Sequence, residues 1–493
     1  MTFNWYNFCQ KQLIAKAETV NIRLELRSHH THNYILRPFL LILTIVLTSL
    51  SCSSPAPRPN LIILFSDDAG YADFGFQGST LIRTPHLDDL AESGIRFSSG
   101  YVTASVCSPS RAGMLTGRYQ QRFGHELNLP GLRDPNVPDS ARGLPLSERT
   151  IADLLSEAGY ATGLVGKWHL GLEDHFHPTR RGFDEFFGMR KGSGPYFTGR
   201  NSTIENGMTL VDPDSLDYLT DEFGDQAVDF IARHRKEPFF LFLSFNAPHT
   251  PMQAHPEYLE EDQGRFRTTV RAKYASMTRS LDDNIGKVMA TLEAFGLAEN
   301  TLVFFANDNG GAMPFNGSLN APLRGAKGTA LEGGNRVAFL MSWKDTLPAG
   351  TVVDEMVSTL DVLPTFLAAA GVDLPGDRDY DGVNLLPFLT DESAAVPHDT
   401  LFWKMQWGAA VRAGDWKLVR TPLQEHWLFN LADDISESND LSGDQPEILA
   451  TLRQSLEAWE STHPDPIWVI NLAWHARTLE RYDQDVVDGY VRR

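Results

Sequence analysis

The chain reads as an α/β protein: a mostly parallel central sheet sandwiched by helices, with a smaller C-terminal domain built on an antiparallel sheet. Three observations predict it. Short, fully apolar runs recur along the chain, and each runs out into a polar cluster. Amphipathic stretches of helical period lie between them, and that alternation marks parallel strands joined by helical crossovers. After Asp377 the texture changes to short β-type pieces separated by turn residues, as a small antiparallel sheet requires.

Residues 1–38 are polar, basic and histidine-bearing, and an apolar run follows over Phe39–Leu50. That run is short for a membrane span and suits the core of a signal peptide, with Arg37 as its positive flank. The residues around Cys52 resemble a bacterial lipoprotein cleavage site, although Ser49 stands where leucine is more usual. The expectation is export: lipid-anchored to the cell envelope through Cys52, or periplasmic or secreted after ordinary cleavage. Residues 53–59 then form a tether, 60–376 the main α/β domain, 377–475 the antiparallel-sheet subdomain, and 476–493 a charged, peripheral tail.

In the main domain Leu61–Phe65 leads into Ser66, Asp67 and Asp68. Tyr160–Val165 leads into Lys167 and His169, Pro238–Ser244 into Asn246 and His249, and Thr301–Ala306 into Asp308 and Asn309. Helices are predicted over Leu87–Ser93, Thr150–Ala158, Asp221–Arg235 and Val270–Phe295. A glycine-rich loop carries Lys327 and precedes a strand at Ala338–Ser342. It lacks the spacing of a nucleotide-binding P-loop. Met356–Ala370 reads as a helix. The C-terminal strands are 400–403, 408–412, 416–420 and 427–430, with a helix over Ile448–Ser461 packed on them. Any one polar cluster taken alone is a loop or a cap. Open α/β sheets place their ligands beyond the carboxyl ends of the strands, so four such tips together predict one site.

The formal net charge is −20. Residues 1–51 carry five basic and two acidic side chains, so the remainder stands at −23. That excludes a general nucleic-acid binder, which needs a basic face. An anionic substrate must therefore be held by local cations and helix ends. The chain has three cysteines. Cys9 and Cys52 precede the folded body, so Cys107 is its only thiol and no intrachain disulfide framework exists there. Cys107 opens Cys-Ser-Pro-Ser-Arg, where Pro109 suits a first helical turn. A helix start offers free N–H groups to an anion, and a lone thiol there beside Arg111 reads as chemistry. Packing as a small hydrophobe is the plainer alternative.

Cys107–Arg111 followed by Ala-Gly-Met-Leu-Thr-Gly-Arg118 resembles the signature of the type I sulfatases, arylsulfatase-like members of the alkaline phosphatase superfamily. The resemblance runs from about residue 59 to about residue 430. It implies that Cys107 is oxidised to formylglycine (3-oxoalanine) by a formylglycine-generating or anaerobic sulfatase-maturating enzyme. It also implies that Asp67, Asp68, the formylglycine at Cys107, Asp308 and Asn309 hold one divalent ion, Ca²⁺ with Mg²⁺ as the alternative. The residue types agree: an all-oxygen set suits a hard cation, and no zinc spacing occurs. In the implied reaction one hydroxyl of the aldehyde hydrate attacks sulfur and the alcohol leaves. His169 then deprotonates the second hydroxyl and sulfate is expelled. His249 gives the leaving alcohol its proton, with Lys327 nearby. Arg111, Lys167 and Lys327 stabilise the added negative charge.

The substrate expected by analogy is a sulfated carbohydrate, a polysaccharide such as algal ulvan or galactan, an animal glycosaminoglycan, or their oligosaccharides. Lys191–Phe197 is a candidate pocket loop. His175, His177, Arg190, Trp403 and Trp407 are candidate sugar contacts, against the core role that tryptophan more often takes. Arg180–Gly188 reads as a packing motif. Two other readings stand beside this one: a phosphonate monoester or phosphodiester hydrolase of the same superfamily, and an inactive carbohydrate-binding relative.

Overall fold

The run Leu61–Phe65 forms the centre of strand β1 (Asn60–Ser66) in the computed structural model, with all seven residues buried. The structure describes residues 58–129, 137–199, 203–391, 394–405, 408–421, 424–469 and 472–482. The leader, most of the tether, Cys9, Cys52 and Trp407 lie outside them. Among the described residues no helix is long and apolar enough to cross a membrane.

The remaining strands follow in chain order: β2 (Ile95–Phe97), β3 (Gly100–Tyr101), β4 (Ala161–Lys167), β5 (Glu185–Met189), β6 (Ile204–Asn206), β7 (Thr209–Leu210), β8 (Phe239–Ser244), β9 (Thr301–Asn307), β10 (Phe339–Ser342), β11 (Thr351–Val353) and β12 (Val357–Ser358). Among the described residues ten of these make one sheet in the order β11-β2-β10-β9-β1-β8-β4-β5-β6-β7. Its centre, β9-β1-β8-β4-β5, is parallel throughout. Antiparallel strands flank it on both sides. The mostly parallel sheet is therefore as expected. The sequence reading missed the short edge strands, which carry too few residues to show a period. The expected packing motif at Arg180–Gly188 contributes most of β5.

Side chains of β1 alternate between the two faces, as strand geometry demands. Leu61, Ile63 and Phe65 join the core under helices Cys107–Thr116, Ile151–Glu157 and Val362–Ala369. Ile62 and Leu64 join the opposite core, under Pro85–Glu92, Leu219–His234 and Thr269–Ala294. Helices thus cover both faces. Burying both faces is what makes such strands wholly apolar.

Two expectations need correction. Met356–Ala370 is not one helix. It is β12, a 3₁₀ turn at Thr359–Asp361, and the helix Val362–Ala369. Ser358 and Asp361 form a capping box, which starts helical structure later and leaves Pro364 in the first turn of the helix, where its missing N–H costs nothing. The segment after residue 476 is not peripheral over its described part. The helix Leu472–Glu480 leads into Arg481 and Tyr482, which are buried.

The C-terminal strands β13 (Thr400–Met405), β14 (Gly408–Ala413), β15 (Trp416–Arg420) and β16 (Trp427–Asn430) form an antiparallel sheet in that order. One face, with Ala409, Val411, Leu418 and Leu428, packs on the helix Pro446–Glu460. The other, with Leu401, Trp403, Ala410 and Val419, packs on Tyr101 and Leu331. The described residues fall in one compact unit, so this sheet is a second layer system joined to the first.

Candidate active site

The carboxyl ends of β9, β1, β8 and β4 lie side by side in the sheet. Register keeps them level: Ser66 pairs with Asn307, Phe65 with Ser244, and Ser244 with Gly166. Gly166 is at φ +111, and a Cβ there would lie 1.9 Å from the Ser244 carbonyl oxygen. Only glycine permits that approach. The backbone then turns sharply. Asp68 and His169 both adopt left-handed φ, 62° and 63°, a conformation that non-glycine residues hold only where the surroundings over-determine it.

The helix Cys107–Thr116 starts against these tips and is buried along its whole length. Val106 is extended, so Cys107 occupies the first turn. Asn128 Oδ1 accepts the Ser108 N–H at 2.9 Å. Arg111 ties the frame together. It donates to Asp308 Oδ2 from Nε and Nη2 at 3.1 and 2.9 Å, to the Lys167 carbonyl at 3.2 Å and to Ser244 Oγ at 2.5 Å. One guanidinium thus links β4, β8 and the tip of β9.

Around Cys107 Sγ, Lys327 Nζ lies at 2.9 Å and Asp67 Oδ1 at 3.5 Å. Lys327 also donates to Asp68 Oδ1 at 2.6 Å, and Lys167 to Asp67 Oδ2 at 2.6 Å. Burial pushes the Cys107 thiol up, but Lys167 and Lys327 outweigh it and bring it down to about 7. Burial and the neighbouring Asp308 push Asp67 well above the usual carboxylate range. Asp68 is also desolvated, yet Lys327 and His249 hold it below that range.

The two histidines differ in protonation. His169 Nε2 lies 2.5 Å from the Leu129 carbonyl, so that nitrogen carries the proton. Its Nδ1 has no hydrogen-bond partner among the described residues. Burial and Lys167 push its pKa well down, which leaves a neutral imidazole with a free basic nitrogen. His249 Nδ1 donates to the Thr250 carbonyl at 2.5 Å, and Nε2 lies 3.4 Å from Asp68 Oδ2. Burial works against its charge, but Asp67 and Asp68 prevail and raise its pKa. The two rings are thus shifted in opposite directions.

Donor atoms of Asp67, Asp68, Cys107 and His249 all lie within 4.8 Å of one another. Asn309 donates to Asp68 through Nδ2 at 2.8 Å, while its buried Oδ1 has no hydrogen-bond partner among the described residues. An orphaned amide oxygen among buried carboxylates fits a hard divalent cation.

All the sequence-predicted site residues, Asp67, Asp68, Cys107, Arg111, Lys167, His169, His249, Lys327, Asp308 and Asn309, therefore meet at one sheet edge. The candidate sugar contacts fare differently. Trp403 is core: its Nε1 donates to the Val102 carbonyl at 2.7 Å. His177 is buried against Glu205 at 3.4 Å, and Arg190 pairs with the same carboxylate at 2.9 Å. These three are structural. His175 lies 3.0 Å from the Ser140 carbonyl. The loop Lys191–Phe197 does cover the site. A Cβ on Gly192 would lie 2.4 Å from the His169 ring, and Tyr196 Oη donates to the His249 carbonyl at 2.8 Å. Sequence reasoning missed Ser108, His125, Asn128, Ser244 and Asn316. Asn316 Nδ2 donates to the Asp68 carbonyl at 2.9 Å. His125 Nε2 lies 2.7 Å from Ser108 Oγ. Ser108 and Ser244 sit in a helix and a strand whose patterns do not mark them, and the others in irregular segments without a period, so only the fold shows their partners.

Buried lysines, paired carboxylates and a thiol on a helix start, at the tips of a parallel sheet, suit an enzyme that acts on an anionic ester. The comparisons with known proteins narrow that class. Residues 59–372 match the sulfatase family, and residues 327–462 match the C-terminal region of N-sulphoglucosamine sulphohydrolase. The chain is 33% identical to N-acetylgalactosamine-6-sulfatase of Mus musculus over 82% of its length and 80% of that protein. It is 38% identical to the Homo sapiens protein of the same name, over 68% and 67%. Among solved structures, Ps i-CgsB in complex with k-i-k-neocarrahexaose superposes with a TM-score of 0.79 at 34% identity, covering 88% of this chain and 99% of that one. The chain belongs to the sulfatase family and is a sulfuric ester hydrolase.

Proposed function

We propose that this protein is an exported sulfatase that removes sulfate from a sulfated carbohydrate, a polysaccharide or its oligosaccharides, with Cys107 matured to formylglycine and one Ca²⁺ bound. The observation that carries the reading is the convergence of four strand tips on Cys107 Sγ, with Lys327 Nζ at 2.9 Å. The carbohydrate class is supported by the names of similar proteins, an N-acetylgalactosamine-6-sulfatase and a sulfatase-family structure holding a neocarrahexaose. Export is supported by the apolar run and basic flank before Cys52.

Formylglycine at Cys107, hydrated by water, would supply one hydroxyl to attack sulfur and a second through which sulfate could be shed. Asp67, Asp68, the formylglycine at Cys107, Asp308 and Asn309 would hold Ca²⁺, which would supply Lewis acidity. Lys167 and Lys327 place positive charge where negative charge builds up. His249, charged beside Asp67 and Asp68, protonates the departing alcohol. His169, neutral with Nδ1 free, takes a proton when sulfate is released. Arg111 spends its donors on the protein and fixes the tips in register.

The test is sulfate release from a panel of defined sulfated oligosaccharides, using protein co-produced with a formylglycine-generating or anaerobic sulfatase-maturating enzyme. Release from at least one oligosaccharide, lost on chelation and restored by Ca²⁺, is expected. Faster turnover of an aryl phosphodiester than of an aryl sulfate would overturn the sulfate assignment. Glycan binding without release, with Cys107 unmodified, would instead mark an inactive binding relative.

A further inference from the structure

The loop that delivers Lys327 is flanked by Gly325 and Gly328, both at positive φ, +88° and +90°. Such a loop has little stiffness of its own. Its N–H groups are tied inward: Lys327 donates to the Gly311 carbonyl at 3.1 Å and Gly328 to the Ser105 carbonyl at 2.8 Å. The outer side is held by the end of the C-terminal helix. Arg481 donates from Nη1 to the Lys327 carbonyl. Ala330 N–H donates to Tyr482 Oη at 2.9 Å, and Arg324 donates to the Tyr482 carbonyl at 3.1 Å. The Tyr482 ring is seated in an apolar cluster with Tyr101, Leu331 and Trp403. The Arg481 guanidinium also stacks on Phe315, 5.1 Å from the ring centroid. Phe315 precedes Asn316, which holds the Asp68 backbone. One buried pair, Arg481–Tyr482, therefore grips both loops that close the site.

We propose that Arg481 and Tyr482 are positioning residues for Lys327, so that the C-terminal end of the described chain belongs to the working site. Both act by fixing the loop from which Lys327 Nζ reaches Sγ and Asp68. A displacement of about 1 Å at a reacting group costs up to about 100-fold in rate. The proposal rests on the role given above to Lys327.

The experiment uses the full chain, co-produced with the maturating enzyme and normalised for formylglycine content by peptide mass spectrometry. The substrate is an activated aryl sulfate. Tyr482→Phe, which keeps the ring in its cluster, is expected to lower kcat about threefold to tenfold, and Arg481→Met about 10-fold to 100-fold. Arg481→Lys is expected to recover part of the loss. The decisive measurement is the double mutant with Lys327→Ala. If the pair works through Lys327, adding Tyr482→Phe or Arg481→Met to Lys327→Ala lowers kcat no further. Losses that multiply, or single variants with unchanged kcat, would overturn the positioning role. Should Arg481→Met fail to fold, Tyr482→Phe carries the same cycle. Lys327→Ala with full activity would overturn the role of Lys327 itself, a separate outcome.

Discussion

At the strand tips Asp67, Asp68 and Asp308 face Lys167, Lys327 and Arg111. Beneath the C-terminal sheet Glu332 and Glu437 face Lys417, Arg336 and Arg412. Both clusters are buried, and both mix acids with bases. In the second, Glu332 accepts from Lys417 at 2.7 Å, Tyr101 at 2.6 Å and Arg336 at 3.3 Å. Burial alone would raise its pKa, but Lys417, Arg336 and Arg412 hold it down at about 2. Glu437 pairs with Lys417 at 3.0 Å and accepts the Glu332 N–H at 2.7 Å. Both Glu332 oxygens are thus paired in a network that joins the glycine-rich segment after Lys327 to the C-terminal sheet, while burial pushes Glu437 up to about 7 despite Lys417. At the tips the valences stay open. Asn309 Oδ1 and His169 Nδ1 are unpartnered among the described residues, and Asp67 is pushed up by burial and Asp308. The contrast teaches that buried charge by itself does not mark a site. Several unpartnered polar atoms gathered around Asp67, Asp68 and Cys107 do, because one ligand could complete them together.

The comparison can be broken most sharply at Cys107. Cys107→Ala is expected to abolish sulfate release while the thermal unfolding midpoint stays near that of the parent, since the open cluster does not hold the fold together. Measurable turnover, or a collapse of stability, would place Cys107 in the wrong cluster. His249→Ala comes next. A general acid contributes about 10²–10⁴-fold, so the loss should be near that size on alkyl or sugar sulfates and much smaller on activated aryl sulfates. Equal losses on both would remove the proton-donor role.

Glu332→Ala probes the second cluster. It takes the Glu332 acceptor from Lys417, Arg336 and Tyr101 and leaves Lys417 with Glu437 alone, so a loss of about 3–5 kcal/mol is expected in denaturant unfolding. A variant as stable as the parent would show that the network is not structural. The smallest effect concerns His398, which pairs with Asp361 at 2.8 Å. Burial opposes its charge, but Asp361 prevails and raises its pKa above the ordinary 6.5. The pair's contribution is therefore fully present below pH 6.5 and is lost as pH rises through the folded-state value. His398→Gln should remove about 1–2 kcal/mol at pH 6 and flatten this part of the stability–pH curve. An unchanged curve would deny the linkage.

Much of this molecule was legible in its residues. Leu61–Phe65, Pro238–Ser244 and Thr301–Ala306 could be recognised as strands because a doubly covered sheet leaves no polar position in them. Their polar tips named the site residues, since chemistry in such a sheet gathers at strand ends. The Cys-Ser-Pro-Ser-Arg run marked the helix start. These features are local: each needs only the order of neighbouring side chains.

What the tertiary structure decided is whatever depends on partners distant in the chain. Trp403, His177 and Arg190 looked available to a sugar, and the fold gives each a protein partner instead. The segment after 476 looked solvated because its residues are charged, yet Arg481 and Tyr482 are buried against a loop about 150 residues earlier in the chain. Composition records a side chain's cost of burial, whereas only the assembled fold supplies the acceptor or the ring that offsets it.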